Sequence, residues 1–362
     1  MAKARLMNRP EDYEALGVKP DEVEVWEDGI RIPPNVMFWE WWYFDAVLDD
    51  GTKVVIQFFS KSGGSMYLRY YHPRIIFRVN LKDGTEYKYE KSISTDKASW
   101  SKEKCDVHYW EHYFTGNLKD YSIHMEPING FGANLKLHSL SKPYRPGSSY
   151  IEFAKKDHFY TWLCVVPRGE VNGTLTLNGK TFPVHGWGYH DHQWGNVNFL
   201  KEWNHWVWAR QDFGDYSMIL FDMVSNSKTE YTRFPLAFIQ DKDGNLVFEN
   251  TQDVKCLVSS EYTDEASGKV YPGEIRYTFE NKEKTVDYSL KMDEIIENNG
   301  RKNLSAVRRA VTRLAGIDPA YTRYYGEGDL VLTDKNTGEK TERNGKLIYE
   351  FMYPGETFKG HM

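Results

Sequence analysis

Short runs in which β-branched or aromatic side chains alternate with polar ones, cut at close intervals by Asp-Gly and Asn-Gly pairs, dominate this chain and admit few folds. Residues 36–60, VMFWEWWYFDAVLDDGTKVVIQFFS, are two such runs joined by Asp-Asp-Gly. That is a hairpin signature, because glycine takes the positive φ that a tight turn between right-twisted strands requires. Further pairs stand at Asp83-Gly84, Asn172-Gly173, Asn178-Gly179, Asp243-Gly244 and Asn344-Gly345, at the spacing of antiparallel meanders. The expected fold is all-β. One segment breaks the pattern: in NLSAVRRAVTRLAGI, Leu304, Val307, Val311 and Leu314 recur at helical spacing with Arg308, Arg309 and Arg313 on other faces. It predicts one short amphipathic helix ending near Gly316, its arginines a solvated face.

A chain of 362 residues favours two domains. All twelve tryptophans fall between Trp26 and Trp208, which sets the expected boundary near residue 200. The organisation read from this is a lead-in over 1–35, an aromatic-rich β-domain over 36–198 and a plainer β-domain over 199–362. Two antiparallel β-barrels or curled sandwiches of roughly eight strands each would use this many strands and leave few free edges. The formal charge of -6 offers phosphate backbones and anionic lipid no net attraction, so nucleic acid is not an expected partner. Cys105, Cys164 and Cys256 are odd in number and lack CxxC spacing, and are read as reduced thiols. No window has the length of a membrane-spanning helix and the N-terminus has no apolar leader core, so a soluble, cytoplasmic protein is expected.

The densest chemistry lies in HGWGYHDHQWGN, His185 to Asn196. Strand alternation puts His190 and His192 on one face and Asp191 on the other. The glycines at 186, 188 and 195 permit close backbone approach or positive φ, so a bend or bulge is expected. Three readings stand on the residues alone. His185, His190 and His192, with Asp191, could ligate zinc or iron, but no second ligand cluster accompanies them. The segment could instead plug a barrel end through satisfied hydrogen bonds. Or it could wall a catalytic pocket in which an imidazole relays a proton beside aromatic rings. In WEWWYFDA, Trp39 to Ala46, alternation places Glu40 and Trp42 on one face and Trp39, Trp41 and Tyr43 on the other.

Together, WEWWYFDA and GWGYHDHQWGN resemble the two-domain lipocalin-like family of bacterial carotenoid 1,2-hydratase (hydroxyneurosporene synthase) and the AttH-type proteins, and more distantly kievitone hydratase and the fungal decalin-forming Diels-Alderases. The resemblance implies two lipocalin-like β-domains with a small-molecule cavity between or within them. By motif match it makes His192 and Trp194 catalytic and Asp222 the counterpart of the family's aspartate, while Leu220 stands where the family has tyrosine. The implied activity is a cofactor-independent hydratase or lyase acting on a C=C bond of an apolar terpenoid or polyene. Asp222 would protonate carbon, His192 would hold the water, and Trp187, Trp41 and Tyr43 would offer ring faces to the cation, with Glu40, His190 and Leu220 lining the pocket. The departure at Leu220 moves weight toward two alternatives: a pericyclase or isomerase that shapes a polyene in the same cavity, or a lipocalin-like carrier. The expected partner is an apolar small molecule, with no metal, no cofactor, no membrane span and a homodimer left open.

Overall fold

The computed structural model describes residues 3–154, 157–300, 305, 307, 310, 311 and 318–354. About 60% of the chain is strand, in two curled antiparallel sheets, so the all-β, lipocalin-like expectation is met. The chain divides into two compact units: an N-terminal one of residues 6–152 and 157–197, and a C-terminal one formed mainly by residues from 198 onward. No helix among the described residues is long and apolar enough to cross a membrane.

In the N-terminal unit the hairpin predicted around Gly51 forms, Trp39–Leu48 pairing with Lys53–Lys61. The sheet continues on one side through Arg74–Asn80 and Glu86–Ser92, and on the other through Lys180–Gly195, Phe159–Leu177, Phe131–Ser139 and Asp120–Ile128. Alternation sends Trp42, Phe44, Ala46, Val54, Ile56 and Phe58 into one core with Ile75, Phe77, Ile123 and Leu135. Each of the larger side chains contributes roughly 1.5–3 kcal/mol on burial, and a one-residue slip would turn the whole set outward. The segment Val25–Asp28 forms a short 3-10 turn packed into this unit, its Glu27 carboxylate accepting from the buried Arg145 guanidinium at 2.8 Å. Ahead of it, Pro10–Leu16 is an α-helix with proline in its first turn, closed by Gly17 at φ 69°.

In the C-terminal unit the strand order is Leu246–Asn250, Arg233–Asp241, Tyr216–Ser225, Trp203–Asp212, Lys340–Tyr353, Ala320–Asp334, Lys284–Asn299, Val270–Glu280 and Lys255–Thr263. Its core is rich in tyrosine, with Tyr271, Tyr277, Tyr288, Tyr324 and Tyr349 all buried.

Turns form at Gly51, Gly84, Gly179 and Gly244, each with positive φ. Two of the predicted turns do not. Asn172-Gly173 lies inside Phe159–Leu177 and Asn344-Gly345 inside Lys340–Tyr353. At Gly173 the glycine serves packing, since a Cβ there would stand 2.1 Å from the Asn134 carbonyl oxygen. The helix expected to end near Gly316 falls largely outside the described residues.

Candidate functional site

The motif strand Lys180–Gly195 is the centre of the N-terminal sheet, hydrogen-bonded to Trp39–Leu48 on one side and Phe159–Leu177 on the other. Its pairing with Trp39–Leu48 runs without a register shift, and the bulges fall in Phe159–Leu177 instead. The glycines permit close approach: a Cβ on Gly186 would meet the Val47 carbonyl oxygen at 2.4 Å, and one on Gly188 the Val171 side chain at 2.6 Å. The expected bend is therefore carried by the neighbouring strand, where Pro167 interrupts the ladder. Two chemically distinct faces result.

On the inner face His190, His192 and Trp194 point into the core with Glu40 and Trp42. His192 lies between the rings of Trp42 and Trp194, both with centroids at 4.6 Å. Its Nε2 is 3.1 Å from Glu40 Oε1, and its Nδ1 is 3.5 Å from Asp28 Oδ1. Glu40 also accepts from the Arg31 backbone N–H at 2.7 Å and the Ser60 hydroxyl at 3.1 Å. Burial disfavours both charged forms, pushing Glu40 up to about 8 and His192 down to about 3. The pair is neutral, with the proton on Glu40. Next to it His190 donates from Nδ1 to the Tyr43 carbonyl at 2.8 Å, and its Nε2 faces Asp28 Oδ2 at 3.1 Å, the oxygen that also accepts from Tyr121 Oη at 2.6 Å.

The metal reading of the sequence does not assemble. His185 is on the outer face, bonded to Asp49 and Glu170, and Asp191 is on the outer face too. The donors that do converge are those of Asp28, Cys105 and His190, within 4.8 Å of one another. Cys105 donates to the Phe114 carbonyl, His190 uses both nitrogens and Asp28 Oδ2 accepts from Tyr121, while Asp28 Oδ1 is buried with no hydrogen-bond partner among the described residues. This is a buried polar knot in the core of the N-terminal unit.

The outer face is lined by rings. Trp39 and Trp41 stack at 4.6 Å, Tyr160 lies 5.6 Å from Trp39, and Tyr43 meets Tyr189 edge-on at 6.3 Å. Among them is Asp191, only 3% exposed. Its Oδ2 accepts from Tyr189 Oη at 2.9 Å, Gln193 Nε2 at 3.1 Å and Trp162 Nε1 at 3.3 Å. Gln193 is itself fixed by the Tyr160 hydroxyl at 2.7 Å. Asp191 Oδ1 is buried and has no hydrogen-bond partner among the described residues. Burial raises this acid to about 7 against the opposing donors. Because Oδ2 is saturated as an acceptor, the proton of the neutral form sits on Oδ1, giving an O–H donor with nothing in the unit to donate to.

The residues singled out from sequence are thus dispersed. Glu40, His190, His192 and Trp194 share the inner face, whereas Trp41, Tyr43 and Trp187 are on the outer one, Trp187 44% exposed beside Arg168. Asp222 and Leu220 belong to the C-terminal unit, both fully buried on the inner face of its sheet. The Asp222 carboxylate is gripped at both oxygens by Arg233, at 2.8 and 2.6 Å, and accepts from Tyr277 Oη at 3.2 Å. Both carboxylate oxygens are engaged as acceptors in this fork, so proton donation from Asp222 would first have to break the pair. Sequence reasoning passed over Asp28, which sits in an unremarkable acidic stretch. It also passed over Asp191 as an acid, although the Tyr189-x-Asp191-x-Gln193 alternation marks three polar groups on one face.

A family model described as Diels-Alderase-like matches residues 33–300. The chain is similar to the quinolone epoxide rearrangement protein penF of Penicillium thymicola, 23% identical over 257 residues, which make up 62% of this chain and 65% of that protein. The chain therefore spans a little under two thirds of that curated relative. Among solved structures it is similar in fold to a putative AttH from Nitrosomonas europaea, with a TM-score of 0.58 at 16% identity over 94% of this chain and 99% of that one. CghA bound to Sch210972 matches with a TM-score of 0.61 at 15% identity over 93% and 98%.

Proposed function

The chain belongs to the Diels-Alderase-like family, and from that membership and the geometry of Asp191 we propose that it is an enzyme that rearranges or cyclises an apolar, unsaturated small molecule bearing an activatable oxygen. The observation that carries this is the unpartnered, buried Oδ1 of Asp191 among tryptophan and tyrosine rings. An O–H aimed at a carbonyl or epoxide oxygen draws electron density from the reacting π system or weakens the C–O bond. Such a preorganised donor is worth roughly 100- to 1,000-fold in rate. Trp162, Tyr189 and Gln193 act behind it by fixing the carboxyl group and keeping its proton on Oδ1. The half-buried Trp41 ring, backed by the fully buried Trp39 on which it stacks, gives a flat, apolar surface on which a polyene can be held in a reactive fold. The quinolone epoxide rearrangement named for penF is likewise a rearrangement of an oxygen-bearing small molecule.

A hydratase reading has one observation in its favour. Asp45, the register partner of Tyr189, is a second carboxylate on this face, with its Oδ2 accepting from Tyr43 Oη at 3.0 Å; it would serve as the base for a water. Incubating the protein with linear polyenes carrying a conjugated carbonyl, and with aryl epoxides, in H₂¹⁸O separates the readings by mass spectrometry. Product of unchanged mass supports rearrangement, and ¹⁸O gain supports hydration. Substrates recovered unchanged across the panel, while still binding to the protein, would overturn both in favour of a carrier.

A further inference from the structure

The N-terminal unit has an open cavity of about 530 Å³ whose wall includes Ser62, Ser65, Leu68, His72, Arg74, Glu90 and Lys91. None of these residues belongs to the Asp191 face. Glu90 is the carboxylate of this wall, and it is engaged by two cations, Arg74 and, at 2.9 Å, Lys88. Lys91 makes no ion pair among the described residues, so the rim carries more positive than negative charge.

A second observation stands behind the wall. Lys61 is fully covered, yet no carboxylate among the described residues lies within ion-pair distance of it. Its register partner Glu40 turns inward to Ser60, His192 and the Arg31 backbone. The Lys61 ammonium donates to the carbonyls of Val36 at 3.0 Å and Leu68 at 2.5 Å and lies 4.0 Å from the Phe38 ring centroid. An ammonium has three donors, and two are used. Leu68, which takes one of those bonds, is part of the cavity wall. A buried cation with no counter-ion is costly, and here it is linked through the Leu68 carbonyl to a cavity wall that carries Arg74, Lys91 and the mutually hydrogen-bonded Ser62 and Ser65 hydroxyls.

We propose that this cavity binds the oxyanion group, phosphate or carboxylate, of a small organic ligand, with Arg74, Lys91 and the Ser62 and Ser65 hydroxyls as contacts and Lys61 as the uncompensated charge behind them. Arg and Lys are the side chains suited to either oxyanion. The volume lies in the range of small-molecule sites and far exceeds one bare anion, so the group is the head of a larger molecule. Glu90 competes with the ligand for Arg74 and weakens its binding.

The test is an amide chemical-shift titration of the full chain with inorganic phosphate and with sodium acetate as minimal probes, against sodium chloride at equal ionic strength. Saturable shifts confined to residues 62–65, 72–74 and 90–92 are expected, phosphate tighter than acetate marking a phosphoryl head and the reverse a carboxylate. Arg74→Gln should weaken binding about tenfold, whereas Glu90→Gln should tighten it several-fold. A merely structural Arg74–Glu90 pair would give both variants the same direction. Shifts no larger than those in chloride, indifference to both substitutions, or weakening by both would overturn the proposal. If Arg74→Gln fails to fold, the direction of the Glu90→Gln effect decides alone.

Discussion

Replacing Asp191 with asparagine isolates the energetic consequence of burying this acid. The asparagine carbonyl can occupy the Oδ2 position and keep the bonds from Tyr189, Gln193 and Trp162, while its amide nitrogen takes the place of Oδ1. The carboxyl group titrates near 3.8 when unfolded and at about 7 when folded, chiefly because burial disfavours the anion. A folded-state value above the unfolded one means that the folded chain holds a proton the unfolded chain has lost. Stability is then fully present below pH 4 and falls as pH rises through about 7. Three units at 1.36 kcal/mol each give about 4 kcal/mol. The amide carries no such term. Asp191→Asn should therefore match the wild type near pH 4 and exceed it by as much as about 4 kcal/mol at pH 8. Urea unfolding followed by tryptophan fluorescence across that range, read on the transition of the N-terminal unit where Asp191 sits, measures the difference. A gap that is constant with pH, or larger in acid, would refute the reasoning.

Three further outcomes follow from the same geometry. Tyr189→Phe removes the shortest bond to the ionised Asp191; such bonds contribute about 1.5–3 kcal/mol, so the basic limb of the pH–rate profile should move up by about one unit or more. Arg233→Met strands Asp222 without its partner in the core of the C-terminal unit and should cost about 3–5 kcal/mol in denaturant unfolding, whereas Asp222→Leu with Arg233→Met should recover most of that. Glu40→Gln should be near neutral in stability below pH 4.5 and increasingly stabilising toward pH 9, because burial raises Glu40 to about 8 and the wild type loses stability across that interval; thermal unfolding at three pH values distinguishes this from a uniform loss.

Much of the fold is legible in the sequence because it rests on local signals. The hairpin at Gly51 and the turns at Gly84, Gly179 and Gly244 follow from residue pairs alone. Alternation also gives the facing of His190, His192 and Asp191, and of Glu40 and Trp42. The resemblance read in the two aromatic motifs is borne out by the family match and by the shared fold. Asn172-Gly173 and Asn344-Gly345 look like turns because a turn glycine and a packing glycine leave the same mark in one sequence. The site is less legible because its contacts are distant in the chain. Asp28 meets Tyr121 and His190 across 93 and 162 positions, and no periodicity encodes such a closure. The Asp222–Arg233 pair is only 11 residues apart on adjoining strands. The residues flanking Asp222 in sequence are apolar, and its polar partners Arg233 and Tyr277 come from across the sheet, where the sequence order does not display them.

The central claim is that the Asp191 O–H donates to an oxygen of the substrate, and comparison of Asp191→Ala with Asp191→Asn tests it most directly. Once the product panel has identified a substrate, kcat/KM is measured for both variants at pH 6, where the wild-type acid holds its proton. The alanine variant loses the donor and should fall by about 100- to 1,000-fold. The asparagine variant keeps an N–H at the Oδ1 position and should stay within about tenfold of the wild type. Wild-type rates in the alanine variant would contradict the claim, leaving the outer-face rings to act without Asp191.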